Sequence, residues 1–122
     1  MAKKMFWAGW IVSGLAIAML VFSGGMKLAM PDEAGKEFKR LGYAEKARLT
    51  IGIVELACVV IYAIPTTSVL GAILLTGYLG GATATHVRIE EGFAPPVIGG
   101  VLVWLGLYLR DPRIRDLIPL RR

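Results

Sequence analysis

Four apolar runs, separated by short polar or proline-bearing breaks, constrain this chain more than anything else in it. They cover roughly residues 5–26, 47–64, 68–87 and 95–109. A helix needs about 17–25 mainly apolar residues to cross the hydrocarbon core of a bilayer. Inside lipid, only helices and closed barrels satisfy every backbone polar group. The runs are therefore expected to be helices, and the chain an integral membrane protein. Composition agrees, because 56% of the 122 residues are hydrophobic, more than a soluble domain of that size can bury. At this length the chain is one domain, 1–122, with no room for a separate soluble module.

Local signals set the breaks. Lys3 and Lys4 precede the first run as they would in a secretion signal. The run continues past Phe22 without a clear A-x-A site, so it reads as a retained first helix, anchored at the interface by Trp7 and Trp10. The connection from Pro31 to Lys46 is polar. In it Asp32 suits an N-cap, Ala34, Phe38 and Leu41 share one helical face, and Gly42 can end the segment. This pattern predicts a short amphipathic helix on the membrane surface. Pro65 ends the second run, and Thr66, Thr67 or Ser68 can cap the third in a tight hairpin. Glu90-Glu91-Gly92 breaks the third run, Pro95 and Pro96 suit the first turn of the fourth, and Asp111-Pro112 stops it before a basic tail. The expected fold class is all-α: a four-transmembrane-helix bundle with a short amphipathic interfacial helix between helices 1 and 2.

Small residues at Gly77, Gly80, Gly81 and Ala84 form a strip on the third helix, expected to allow close contact within the bundle. Cys58 is the one cysteine, which excludes an internal disulfide and leaves a small apolar core residue. The net charge of +5 does not point to nucleic acid. The cations flank the apolar runs, where lipid head groups and topology account for them. Lys3, Lys4, Arg110, Arg113, Arg115, Arg121 and Arg122 fall on the side of both termini. The slight excess there places both termini in the cytoplasm of a multi-pass protein of the cell (inner) membrane.

Glu55 lies about eight residues into the second run, roughly 12 Å deep at the helical rise. An ionisable group at that depth costs at least a few kcal/mol, so it faces protein and often marks a site. Alternating helix direction brings Tyr78 level with Glu55 and carries Lys27, Arg48, His86 and Arg88 to one interface. The expected picture is a polar pocket with Glu55 and Tyr78 as floor and the cations at its mouth. Each residue also has a plainer reading. Glu55 can be an interhelical tie, Lys27 can snorkel to the interface, Arg88 can pair with Glu90, Glu91 or lipid phosphate, and His86 can be structural. A lone histidine cannot make a metal site, and nucleotide, hydrolase, zinc-protease and di-iron signatures are all missing.

Three segments carry a family resemblance. Ser23-Gly24-Gly25-Met26-Lys27-Leu28 resembles the SGxxKL end of helix 1 in DoxX-like membrane proteins. Phe38-x-x-Leu41-Gly42-Tyr43 followed by Gly52-Ile53-Val54-Glu55-Leu56 resembles their connection and the GxxEL of helix 2. Gly80 to His86 resembles the GAxxTH end of helix 3. The resemblance implies a compact four-helix membrane bundle with Lys27, Glu55 and His86 as its polar positions. DoxX itself is associated with a thiosulfate:quinone oxidoreductase, but it acts there beside another subunit. This chain shows no fused soluble partner region, so thiosulfate chemistry is not carried over.

The leading expectation is a small membrane subunit that binds a quinone-like or other lipophilic ligand and supports a membrane or soluble redox partner. In that scheme Glu55 accepts a proton, His86 donates to a carbonyl oxygen and Lys27 offsets negative charge. No cofactor other than quinone is expected, and a homo-oligomer is left open. Two other classes stand beside it: a proton-coupled small multidrug exporter and a non-catalytic scaffold or assembly factor.

Overall fold

A computed structural model describes residues 2–29, 31–40, 42–43, 47–88, 90, 92 and 94–121. All regular structure among them is helical: α1 (Ala2–Ala29), α2 (Pro31–Arg40), α3 (Ala47–Ala63), a 3-10 turn (Pro65–Thr67), α4 (Ser68–Arg88), α5 (Ala94–Arg110) and α6 (Pro112–Leu117). Two stretches are long and apolar enough to cross a membrane, Lys3–Ala29 and Pro65–Arg88. The apolar helices α3 and α5 are shorter, at 17 residues each. In the long pair only 22% and 28% of the most apolar window is buried, which is not how the core helix of a soluble protein behaves.

α1 packs against α3 and α5, and α4 packs against the same two helices. Between them lies a core of Ala16, Leu20, Val59, Tyr62, Ala72, Leu75, Val103 and Leu107. The outward faces are apolar as well. Ile11 and Phe22 on α1, Val60 on α3, Ile73 on α4 and Val101 on α5 are each more than half exposed. Apolar surface this extensive is a liability in water and suits lipid.

The breaks follow the sequence signals with three differences. α2 starts at Pro31, which puts Asp32 inside the helix rather than at its cap. Gly42 does end that segment, at φ +90, with its N–H on the Lys39 carbonyl at 3.1 Å. The expected apolar face at Ala34, Phe38 and Leu41 lies outside the described side chains. At the α3–α4 hairpin, the hydroxyls expected to cap α4 serve α3 instead. Pro65 cuts α3 short and leaves its last carbonyls without helical donors. Ser68 Oγ donates to Tyr62 O at 2.7 Å and to Ile64 O at 3.0 Å, and Thr67 Oγ1 donates to Ile61 O at 2.7 Å. Beyond α5 the tail is helical at first. Asp111 accepts the Arg113 N–H at 3.0 Å as the N-cap of α6, which buries Ile114.

The small-residue strip also behaves differently from expectation. A Cβ at Gly77, Gly80 or Gly81 would meet nothing within 4 Å. Close approach occurs at Gly71, which faces the backbone of Tyr62 on α3, and at Gly106, which faces Ser13 of α1. A side chain at either position would collide with its neighbour.

That second contact belongs to a buried polar cluster. Arg110 Nε donates to Ser13 Oγ at 3.1 Å, Ser13 pairs with Tyr62 OH at 2.9 Å, and Tyr62 OH donates to Val103 O at 2.7 Å. The Tyr62 proton goes to the carbonyl, so Ser13 is the donor in the middle bond. The Arg110 guanidinium also lies 4.0 Å from the centre of a Trp10 ring and within 3.4 Å of Ser68 Oγ. Trp10, expected as an interfacial anchor, is half-buried under this arginine.

Candidate functional site

Glu55 occupies the middle of α3 and is 1% exposed. A buried carboxylate is tolerated only with hydrogen bonds and a charge partner. α1 supplies both. Ser23 and Lys27 are four residues apart and so sit on one helical face. Lys27 Nζ lies 2.9 Å from Glu55 Oε1 and 2.8 Å from Ser23 Oγ, with Ser23 O at 3.5 Å. Ser23 Oγ in turn donates to Glu55 Oε1 at 3.4 Å. From the middle of α4, Tyr78 OH donates to the same oxygen at 3.0 Å. One carboxylate oxygen thus ties α1, α3 and α4 together. Among the described residues, no buried side-chain nitrogen or oxygen lacks a hydrogen-bond partner.

A cavity of about 490 Å³ lies against this cluster. Met19, Leu20, Ile51 and Leu79 give it an apolar wall, and Lys27, Glu55, Tyr78 and His86 give it a polar one. Glu37, Tyr43 and Thr85 line it too, with Pro95 and Pro96 from the start of α5. Tyr43 OH meets Thr85 Oγ1 at 2.6 Å, and Thr85 already donates to Gly81 O at 2.9 Å. Tyr43 is therefore the donor, which fastens the α2–α3 connection to α4 beside the cavity. His86 Nδ1 lies 2.7 Å from Ala82 O. A carbonyl only accepts, so Nδ1 carries a proton and donates it to Ala82 O.

Outside the helices that carry these groups, Glu37 on α2 is an electrostatic neighbour. Its hydrogen bond to Arg40 holds its carboxyl below the ordinary value, against the opposing pull of burial, and the charges of Arg40 and His86 add to the lowering.

Of the residues expected from sequence, Lys27, Glu55, Tyr78 and His86 come together on one cavity. Lys27 does not snorkel outward; it turns in to Glu55, and its side chain is 16% exposed. Arg88 does not line the cavity. It follows His86 by two residues, about 200° around a helix, and its guanidinium faces the Gly42 backbone. The side chain of Arg48 lies outside the described residues.

Sequence reasoning did not single out Ser23, Tyr43, Thr85 or Glu37. The first three fall inside the segments that carry the family resemblance, and Ser23 precedes Lys27 by one turn, a spacing that could have found it. Nothing local in the sequence marked Glu37.

No curated protein and no solved structure matches the chain. The profile of the DoxX-like family matches residues 11–106, well over half of the sequence and all of the cluster around Glu55. Together with the two membrane-length apolar stretches, that match identifies a small membrane protein. The chain belongs to the DoxX-like family.

Proposed function

We propose that α1, α3, α4 and α5 cross the cell (inner) membrane as a four-helix bundle, with both termini cytoplasmic and α2 at the interface. In this reading the cavity binds a quinone-like or other lipophilic ring ligand, and the protein serves as a membrane subunit beside a redox partner. One observation carries the reading: a cavity of about 490 Å³ with an apolar wall and a buried, ion-paired carboxylate at its side. Ligand pockets commonly enclose roughly 300–1,000 Å³, mostly apolar with a few convergent polar groups. At 17 residues, α3 and α5 stand at the short end of the spanning range of about 17–25. Both carry apolar outer faces suited to lipid.

The same geometry supports a second reading, because the Lys27–Glu55 pair ties α1 to α3 whether or not anything binds. In that case the protein is a scaffold and the pair is structural. Thermal unfolding of the detergent-purified protein against quinones and lipophilic cations separates the readings, since a ligand of the folded state raises the melting temperature by mass action. A quinone-specific rise that disappears in Glu55→Gln is the expected result. A rise with cations alone would favour a proton-coupled exporter. No rise with any compound would leave the scaffold.

A further inference from the structure

We propose that the segment 112–121 lies folded back on the bilayer surface, as an anchor that takes an anionic lipid face. The inference rests on the membrane-spanning reading above and is independent of any ligand in the cavity. Depth comes first. A Cβ at Gly9 would lie 2.7 Å from the backbone N of Arg110, so the end of α5 is level with the first turns of α1. There Phe6 and Trp7 stand exposed and edge to face, as aromatic side chains do where hydrocarbon meets head groups. Arg110 thus brings the chain to the interface, and α6 starts in it.

Local chemistry then keeps α6 there. Asp111 has an extended backbone, φ −126 and ψ 109, which breaks the axis of α5 and caps α6. Pro112 has no N–H to give the end of α5, and the Arg113 N–H goes to Asp111. Arg115 supplies the missing donor: its Nη1 reaches Tyr108 O at 2.8 Å and Leu109 O at 2.9 Å. Ile114 is buried. The segment therefore stays beside the last turn of α5 instead of continuing into water.

What faces outward is apolar. Leu117, Ile118 and Leu120 are 55%, 42% and 75% exposed. Lys3, Lys4, Arg113 and Arg121 are exposed at the same end, and of the nearby carboxylates Asp111 is already paired with Arg113. Apolar side chains beside cations at head-group depth fit an anionic bilayer, which admits the side chains to its acyl boundary and pairs its phosphates with the cations. A protein partner fits less well, because three side chains fall far short of the roughly 800 Å² that each side of a stable interface buries.

The test uses the full chain with Cys58→Ala and a nitroxide attached at Leu117→Cys, an exposed position where the label should disturb no packing. It is reconstituted in vesicles of mixed phosphatidylglycerol and phosphatidylcholine, or of phosphatidylcholine alone. Collisions with oxygen report lipid, and collisions with a water-soluble nickel chelate report water. In the anionic vesicles the label should be open to oxygen and shielded from nickel. Arg121→Gln should lower the ratio of docked to free spectral components about fivefold, the worth of one cation near an anionic surface. Phosphatidylcholine alone should lower it further. Leu120→Gln should free the label from the bilayer with the melting temperature unchanged.

A second label at Phe22→Cys, on the exposed face of α1, should be shielded from nickel in every case. If it is open to nickel, the spanning reading falls and the anchor with it. If it is shielded while the label at Leu117→Cys is open to nickel in anionic vesicles, the segment lies in water and only the anchor falls. Shielding of the label at Leu117→Cys from both reagents would mean that protein covers the segment. Equal docking in the two vesicle types would mean that charge plays no part. Either result overturns the proposal.

Discussion

At one end of the helices Arg110 is enclosed by Ser13, Ser68, Tyr62 and the Trp10 ring; at the other, Lys27 encloses one oxygen of Glu55. Both clusters join several helices through a buried polar centre. They differ in what lies beside them. Around Arg110 the donors run in sequence from guanidinium to Ser13 to Tyr62 to the Val103 carbonyl, packed where Gly71 and Gly106 let backbones touch. Around Glu55 the donors converge on Oε1, and a cavity lies against the cluster. A buried polar network with every member paired adds rigidity and specificity. The Glu55 cluster borders a cavity, and the Arg110 cluster does not line it. Burial and charge alone would not have separated the two.

The sharpest way to break that comparison is Lys27→Met. Removing one partner of a buried ion pair strands the other, at a cost of about 3–5 kcal/mol. The melting temperature should fall steeply and recover most of the loss in the Lys27→Met/Glu55→Gln double variant, where no charge is stranded. If the double variant is no better than the single one, the two residues are not a coupled pair.

A smaller loss is expected at the packed end. Gly71→Ala would drive a methyl group into the Tyr62 backbone, and overpacking of this kind costs about 1–3 kcal/mol. Gly77→Ala meets open space and should be neutral or raise the melting temperature slightly, because glycine costs a helix interior about 1 kcal/mol relative to alanine. Equal losses at the two glycines would contradict the packing described here.

Two tyrosine variants refine the contrast. Tyr62→Phe removes the link between Ser13 and Val103, worth about 1 kcal/mol, and should leave ligand affinity untouched. Tyr78→Phe removes one donor from Glu55, worth about 0.6 kcal/mol for a hydrogen bond in a membrane. It should change ligand affinity more than stability. If Tyr62→Phe alters binding as much, the ends are not independent.

The smallest effect concerns pH. The Arg40 hydrogen bond is the largest influence on Glu37 and sets its folded pKa below the ordinary 4.5. Burial pushes Asp111 upward, but the hydrogen bonds and charge of Arg113, with the charge of Arg110, outweigh it and set the pKa below 3.8. A lowered folded pKa means stability that is present above the ordinary value and lost as pH falls through the folded one. Acidification below about pH 4.5 should therefore lower the melting temperature modestly, and salt should blunt the change because both pairs are on the surface. Glu37→Gln and Asp111→Asn should each flatten the acid slope, and Asp111→Asn, which does not line the cavity, should leave ligand binding unaltered.

Much of this molecule was legible from local pattern. The apolar runs predicted the four large helices to within a few residues, since burial in lipid or in a core requires the same unbroken apolar stretch. Pro65, Gly42 and the Pro95-Pro96 pair marked breaks and starts correctly, because each restricts its own backbone whatever surrounds it. Alternating helix direction put Tyr78 level with Glu55 and Lys27 near His86, and all four line one cavity.

What depended on neighbours was not legible. The sequence alone left Lys27 between a snorkelling lysine and a site residue, counted Arg110 as one more basic residue in the terminal region, and took the Gly77–Gly81 strip for a helix contact. It determined that the chain forms apolar helices with one carboxylate in the middle of the second, because hydrophobicity and backbone restriction act over a few residues. The tertiary structure alone decided that Lys27 turns inward to that carboxylate, that Gly71 and Gly106 are among the close contacts, and that Arg110 is a packed centre. Those outcomes depend on helix rotation, which brings together residues as far apart as Ser13 and Arg110 and leaves no trace in local spacing.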